Sequence, residues 1–316
     1  MTDEDALLAR ILPRLPFGRD TLLGPGDDAA IVAAPDGRVV VSTDVLVDGR
    51  HFRRSWSSGA DVGYRAAVQN LADVAAMGAR PTALVVALVC PPDVTPDWLA
   101  DLAGGLAEAC GDVGVVGGDL SAGTELSVAV TVLGDLEGRA PVRRDGARPG
   151  DVVAHAGHRG RSVAGLGLLE AGLDAGHEGF GALVEAYRRP TAPLAAGIAA
   201  ARAGATAMLD VSDGLLRDAQ RLALASGVGL DLAAASEVFG DELAALAPAA
   251  VALGVDATTW VLTGGEDHGL LATFPADVAL PEPFRRIGRV LDGPAGRLTV
   301  AGEEPQGPLG WDHFAR

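Results

Sequence analysis

The chain has 316 residues, 48% hydrophobic and only 21% charged. That is enough apolar content for two ordinary domains with a sizeable core, and it excludes a disordered chain. The formal net charge is −17 and no lysine occurs, which argues against nucleic acid or an anionic membrane as partner and means that phosphate-bearing ligands need intervening cations. Two cysteines, Cys90 and Cys110, give neither a disulfide framework nor a zinc spacing, so they read as free thiols in a reducing cytoplasm. The acidic opening "MTDEDALLARILPRL" lacks the basic start of a signal peptide. No uncharged apolar run reaches about 18 residues, so no membrane span is expected.

Residues 3–15 read as a short amphipathic helix with Leu7, Leu8, Ile11 and Leu12 on one side. "GPGDDAAIV" follows, setting two adjacent carboxylates, Asp27 and Asp28, in a Gly-Pro-Gly turn. Either they point apart into water or a cation sits between them. Ala29–Ala33 and Arg38–Thr43 read as strands, and "VVVSTD" as a strand ending at Asp44. A helix from Gly59 stops at Gly78, with Pro81 beyond. "TALVVALVC" is a buried strand, and the next helix opens with Thr95 as N-cap and Pro96 in first position. Two more strands, "VGVVGGD" and "ELSVAVTVLGDL", complete the first half. The Gly-, Pro- and Arg-rich stretch of residues 138–150 marks a domain boundary, dividing the chain into 1–140 and 141–316. Beyond it, helices near 161–172, 193–203, 214–226 and 241–253 alternate with the strands "DVVAHAG", "AMLDVS", "GLDL", "HGLLATF" and "RRIGRVL". Both halves are therefore α/β.

Acidic residues collect at element ends beside glycines. Ser42, Thr43 and Asp44 offer three hard oxygens in a row. Asp73 lies in a helix of Ala, Val, Leu and Met, three residues after Asn70, on a face that would ordinarily be buried; a carboxylate there needs a partner. Asp119 follows two glycines in "VGVVGGD", Asp210 and Asp213 flank a strand-to-helix turn in "LDVSDGL", and Glu266 and Asp267 follow two glycines in "LTGGEDHGLL". Each has an ordinary alternative: a helix cap at Ser212 or Asp213, a hairpin turn at Glu266. Together, oxygen ligands without His or Cys favour Mg²⁺, and several such ions suit polyphosphate chemistry. The lysine-dependent phosphate loop is ruled out by composition. The turn "GHRGRSVAGL" opens a helix whose N-terminus could take an anion, and Arg143 and Arg144 are candidate phosphate contacts or a charged linker.

"GPGDDAA", "STDVLVDGRHF", "NLADVAAMGARP", "VGGD", "RRDGARPGD", "LDVSDGL", "TGGEDHGLL" and "GWDHF" occur in this order, and the set resembles the thiamine-monophosphate kinase family across essentially the whole chain. That family belongs to the ATP-binding superfamily of aminoimidazole ribonucleotide synthetase (PurM-like). The resemblance implies a two-domain PurM-like α/β (α+β type) fold. Its N-terminal domain has a mixed, barrel-forming sheet with helices, binds ATP and Mg²⁺, and forms a homodimer through the sheet. Its C-terminal domain is α/β. The implied reaction takes ATP and thiamine monophosphate to ADP and thiamine diphosphate, in the cytoplasm, by direct in-line transfer. Matching positions imply Mg²⁺ ligands at Asp27, Ser42, Thr43, Asp44, Asp73, Asp119, Asp210 and Asp213. Nucleotide contacts are implied at Gly118, Asp119, Arg144 and Ser212, and substrate contacts at His51, Glu266 and Trp311. Asp27, Asp44, Asp73, Asp119 and Asp213 would carry the catalysis. A family tyrosine of the nucleotide site has no counterpart here, and the helix before "VGGD" offers Trp98 and Leu102 instead. The alternatives are another superfamily enzyme with a different acceptor, a metal-dependent phosphatase, and a non-catalytic Mg-nucleotide-binding protein. A hydrogenase-maturation relative would need a C-terminal cysteine, whereas this sequence closes on "GWDHFAR".

Overall fold

A computed structural model describes residues 4–24, 30–173 and 180–312. Asp27 and Asp28 therefore lie outside the described residues. The chain divides into two compact units, one of Met1–Val74 with Ala79–Arg139, the other of Ala75–Gly78 with Ala140–Arg316.

Unit 1 holds α1 (Glu4–Ile11), β1 (Thr21–Leu23), β2 (Ile31–Val32), β3 (Val40–Val47), α2 (Gly59–Ala76), β4 (Arg80–Cys90), α3 (Pro96–Cys110), β5 (Gly114–Ala122) and β6 (Ser127–Asp135). Its sheet runs in the order β3-β6-β4-β5. β6 is antiparallel to both neighbours, and β4 and β5 are parallel across the helical crossover α3. Alternation decides which face is covered. Leu84, Val86, Leu88, Val128, Val130 and Val132 are buried. On the other face Val41 is 62% exposed, Val45 47%, Val85 38% and Val89 37%, so four valines line an uncovered side of the sheet. Thr95 caps α3 by accepting from the Trp98 N–H, with Pro96 next, as its sequence signature requires.

Unit 2 holds β7 (Val152–Ala156), α4 (Arg161–Glu170), α5 (Gly181–Arg188), α6 (Leu194–Arg202), β8 (Ala207–Val211), α7 (Leu215–Ser226), β9 (Gly229–Leu232), α8 (Ala235–Val238), α9 (Gly240–Leu253), α10 (Ala257–Thr263), β10 (Gly269–Phe274), β11 (Arg285–Leu291) and β12 (Leu298–Val300). The six strands run β12-β9-β11-β7-β10-β8, antiparallel except for β12 against β9. β7 and β10 are buried along their whole length, which fits sequences that are apolar apart from His155 and Thr273. Ala154, Ala156, Met208, Leu270, Ala272 and Phe274 form one core cluster with Ala196 and Ala200 of α6. Cys90 and Cys110 are free thiols, and burial pushes the Cys110 thiol up to about 12. Among the described residues no single helix is long and apolar enough to cross a membrane.

Candidate active site

In unit 1 the strand that carries Ser42, Thr43 and Asp44 does not end at Asp44. β3 continues to Val47, and Asp44 sits mid-strand opposite Val130, because Val45, Leu46 and Val47 extend the strand-forming run. Alternation sends Ser42 and Asp44 to the side of α2. There Ser42 Oγ donates to Asp73 Oδ2 at 2.6 Å, the partner that a carboxylate on this helix face requires. The Asp44 N–H donates to Asn70 Oδ1 at 3.1 Å, and Asn70 Nδ2 donates to the Ala66 carbonyl at 2.9 Å. Asn70 is fully buried and so fixes the height of Asp44 relative to α2. Thr43 faces the other way, donating to the Val130 carbonyl at 2.9 Å and accepting from Thr131 Oγ1 at 3.1 Å.

The β4–β5 register sets Asp119 in the row of Ala87, Ala129 and Val45, on the open valine face opposite Asp44. Ser121 Oγ donates to Asp119 Oδ2 at 2.9 Å. Gly118 answers to the sheet: a Cβ there would sit 1.9 Å from the Val86 carbonyl oxygen, so only glycine lets β5 lie this close to β4. Beside them opens a cavity of about 570 Å³ whose walls include Leu8 and Ile11 of α1, Leu99, Leu102 and Leu106 of α3, and Gly118 and Asp119. Leu102 lines it and Trp98 does not. Its size and apolar walls suit a small planar ligand. His51 follows β3, and its Nδ1 accepts from the Val47 N–H at 3.0 Å, which leaves the proton of the neutral ring on Nε2.

In unit 2 three distant stretches meet. The Ser212 carbonyl accepts from the Glu266 N–H and the Asp213 carbonyl from the Trp311 N–H, both at 2.8 Å. The Leu309 carbonyl accepts from the Arg217 N–H at 3.1 Å. Gly265 and Gly310 make this possible: a Cβ on either would lie 2.4 Å from the Ser212 oxygen or 2.3 Å from the Asp213 oxygen. Glu266 and His268 both hold positive φ, +67° and +51°, a sparsely populated conformation that collects at functional turns. Asp210 Oδ2 lies 3.4 Å from His268 Nδ1. Trp311 keeps 61% of its surface exposed.

Neither Ser212 nor Asp213 caps α7; Gly214 holds the cap position and no side chain bonds there. Asp213 is instead steered by charge. Its Oδ2 lies 2.7 Å from Arg221 Nη1 and 3.9 Å from Arg217 Nε, and its N–H donates to Asp218 Oδ2 at 3.0 Å. Asp218 is 2% exposed, and its carboxyl is pushed up to about 6, chiefly by burial. Sequence reasoning missed Asn70 as an anchor and Asp218 altogether. Arg144 is exposed, its carbonyl accepting from Ser226 Oγ at 2.9 Å. The anion site expected at "GHRGRSVAGL" is already filled from within: Asp267 accepts from the Gly160 N–H at 2.6 Å and the Ser162 N–H at 2.9 Å at the start of α4. Fully buried Arg159 stands 3.9 Å from the same carboxylate. Asp267 is therefore structural.

Among the described residues no group of three or more His, Cys, Asp and Glu is gathered tightly enough to hold a metal ion. The donors that do gather, Ser42 with Asp73 and the neighbouring Asp44, are oxygen only, partly accessible, and of the chemistry that suits Mg²⁺.

The chain matches the AIR synthase related protein N-terminal domain over residues 26–136 and the AIR synthase related protein C-terminal domain over 148–301. It is thus a two-domain protein of the AIR-synthase-related class, with the mixed α/β architecture of solved structures of that class. It is 49% identical to the thiamine-monophosphate kinase of Mycobacterium tuberculosis (strain ATCC 25618 / H37Rv) over 96% of this chain and 90% of that one. It is 35% identical to the thiamine-monophosphate kinase of Escherichia coli (strain K12) over 99% and 98%. Among solved structures, AaThiL complexed with AMPPCP and TMP superposes with a TM-score of 0.80 at 34% identity, covering 91% of each chain. The chain belongs to the thiamine-monophosphate kinase family.

Proposed function

We propose that this chain transfers the γ-phosphoryl group of ATP to the phosphate of thiamine monophosphate, giving ADP and thiamine diphosphate. The observation that carries this reading is the convergence of Ser212–Asp213, Glu266 and Trp311 at one place in unit 2, in a chain related end to end to kinases of this name. The acceptor oxygen is already ionised at neutral pH, so no general base is needed. The P–O bond to the β-phosphate breaks as the bond to the acceptor oxygen forms, in line. The protein's work is positioning and charge neutralisation.

In this reading Asp27, Ser42, Thr43, Asp44, Asp73, Asp119, Asp210 and Asp213 hold Mg²⁺. When bound, Mg²⁺ supplies neutralisation of the phosphate oxygens that a chain of net charge −17 would otherwise repel. Gly118, Asp119, Arg144 and Ser212 contact the nucleotide, whose base enters the cavity beside Leu102. His51, Glu266 and Trp311 contact the acceptor, with the exposed indole stacking on the cationic thiazolium. We further read the uncovered valine face as the contact of a homodimer, since a one-sided sheet with an exposed apolar row needs a cover. Two free thiols support the reading of a protein that works in a reducing cytoplasm.

Purified protein with ATP, Mg²⁺ and thiamine monophosphate is expected to yield thiamine diphosphate by chromatography, and none from thiamine or without an acceptor. Nucleotide binding with no diphosphate formed would overturn the acceptor assignment and move the search to other phosphate acceptors.

A further inference from the structure

The segment after β3, "DGRHFRRSW", carries four basic side chains in an otherwise acidic molecule. Its backbone is tightly tied. The Gly49 N–H donates to the Phe52 carbonyl at 2.7 Å, the Arg50 and His51 N–H groups both donate to the Val47 carbonyl, and the Trp56 and Ser57 N–H groups both donate to the Arg53 carbonyl. Phe52 is 1% exposed and pins the loop to the core. Arg54 braces it further, with Nε 2.7 Å from Asp48 and Nη1 2.9 Å from Asp93.

Arg50 and Arg53 are different. Most guanidiniums of unit 1 sit within 4.0 Å of a carboxylate, among them Arg38, Arg54, Arg80 and Arg139. Arg50 and Arg53 are exposed and meet no carboxylate among the described residues, although the sequence has 42 acidic side chains to offer. Arg53 instead lies over the Trp56 ring, its Cζ 4.3 Å from the centroid. Stacking fixes the guanidinium plane and leaves its N–H edge free for an anion in that plane. His51 lies between the two in the sequence. The loop begins three residues beyond Asp44, about 10 Å along the strand.

We propose that Arg50 and Arg53 form a preorganised receptor for the phosphomonoester of the acceptor, and so set the preference for thiamine monophosphate over unphosphorylated thiamine. This rests on the kinase reading above. A dianionic ester gains charge-assisted bonds from both arginines. The uncharged hydroxyethyl group of thiamine gains none, and with no phosphate to offset its cationic thiazolium the molecule is repelled.

The test uses the full-length protein with R50Q, R53Q and the double variant, and R53K as the conservative control. Affinity for thiamine monophosphate and for thiamine is measured by calorimetry without nucleotide, and KM and kcat are measured for thiamine monophosphate and ATP. The double variant is expected to bind thiamine monophosphate about 10- to 100-fold more weakly, with thiamine affinity and the KM for ATP within twofold and an unchanged melting temperature. R53K should recover part of the loss. Unchanged affinity for thiamine monophosphate would overturn the proposal, as would an equal loss for thiamine or ATP, which would assign the loop a general structural role. If the wild-type protein makes no thiamine diphosphate, the kinase reading fails separately. Inorganic phosphate and a simple phosphomonoester then serve as probes, and retained binding that the double variant loses still supports the receptor.

Discussion

Arg221 serves two carboxylates at once, lying 2.7 Å from both Asp213 and Asp218. Asp218 in turn holds the Asp213 N–H, and the Asp213 carbonyl holds Trp311. Asp218 touches no ligand in the proposed reaction, yet it sets the height of the turn that carries Ser212 and Asp213. Asp218→Asn keeps the shape but replaces one acceptor oxygen with an NH₂ group, which must then face either the Asp213 N–H or Arg221, both donors. The variant is expected to lose roughly 1–3 kcal/mol of stability, the cost of an unmatched buried polar group, and to lower kcat for thiamine diphosphate formation. Thermal melts and steady-state kinetics check both. Wild-type melting together with wild-type turnover would remove Asp218 from the positioning role. Asp73 and Asp218 differ in how far the sequence exposes them. Asp73 stands out as an acid on an apolar helix face. Asp218 sits in "LLRDAQRL", an ordinary amphipathic helix, and its burial comes from packing that no local pattern records. Asn70 acts on a backbone N–H 26 residues away, beyond the reach of spacing arguments.

The elements that the sequence hid are short or carry misleading propensity. β1 and β12 have three residues each, too few for a period. α10, "ATTWVLT", is rich in β-branched and aromatic residues that favour strands. Asp256 nonetheless caps it by accepting from the Thr258 N–H, and Trp260 and Val261 are buried, so packing overrides propensity. The long helices and the fully apolar strands were legible because period and burial agree there. β7 conceals one exception. His155 is fully buried in its middle, opposite Arg285 of β11 and edge-on to Phe239, and neither ring nitrogen has a hydrogen-bond partner among the described residues. Burial, then the charges of Arg159, Arg285 and His158, hold its pKa well below the ordinary 6.5. Below pH 6.5 the unfolded chain takes up a proton that the folded chain refuses. Stability is therefore fully present above that pH and falls as pH drops, by at most about 1.4 kcal/mol per unit from this group. His155→Leu should flatten that part of the pH dependence. Unfolding midpoints of both proteins at pH 7.5 and 5.5 measure it, and equal pH sensitivity in the two would refute the assignment.

At the scale of the whole molecule, the open face of the unit 1 sheet matters most. Val41, Val45, Val85 and Val89 form an exposed apolar row on one face of the sheet, the kind of patch that marks an interaction surface. The same face carries Thr43 and, by register, Asp119. If two copies close over it, assembly reaches residues that the proposed reaction uses, and activity should depend on it. A flat valine face also suits self-association about a twofold axis, since the same rows meet themselves. Val45→Asp places an unpaired charge in the centre of that contact, where desolvation is costly. We expect wild-type protein to sediment as a dimer at micromolar concentration. The variant should dissociate at least about 100-fold more readily, equivalent to about 2.8 kcal/mol, and its specific activity should rise with protein concentration as dimer re-forms. Val251→Asp is the matched control: Val251 is 84% exposed on α9 in unit 2 and should change neither property. A monomeric wild-type protein with full activity would refute the assembly. A dimeric Val45→Asp protein would place the contact on another surface. A fully active Val45→Asp monomer would separate assembly from catalysis and confine the work of Thr43 and Asp119 to a single chain.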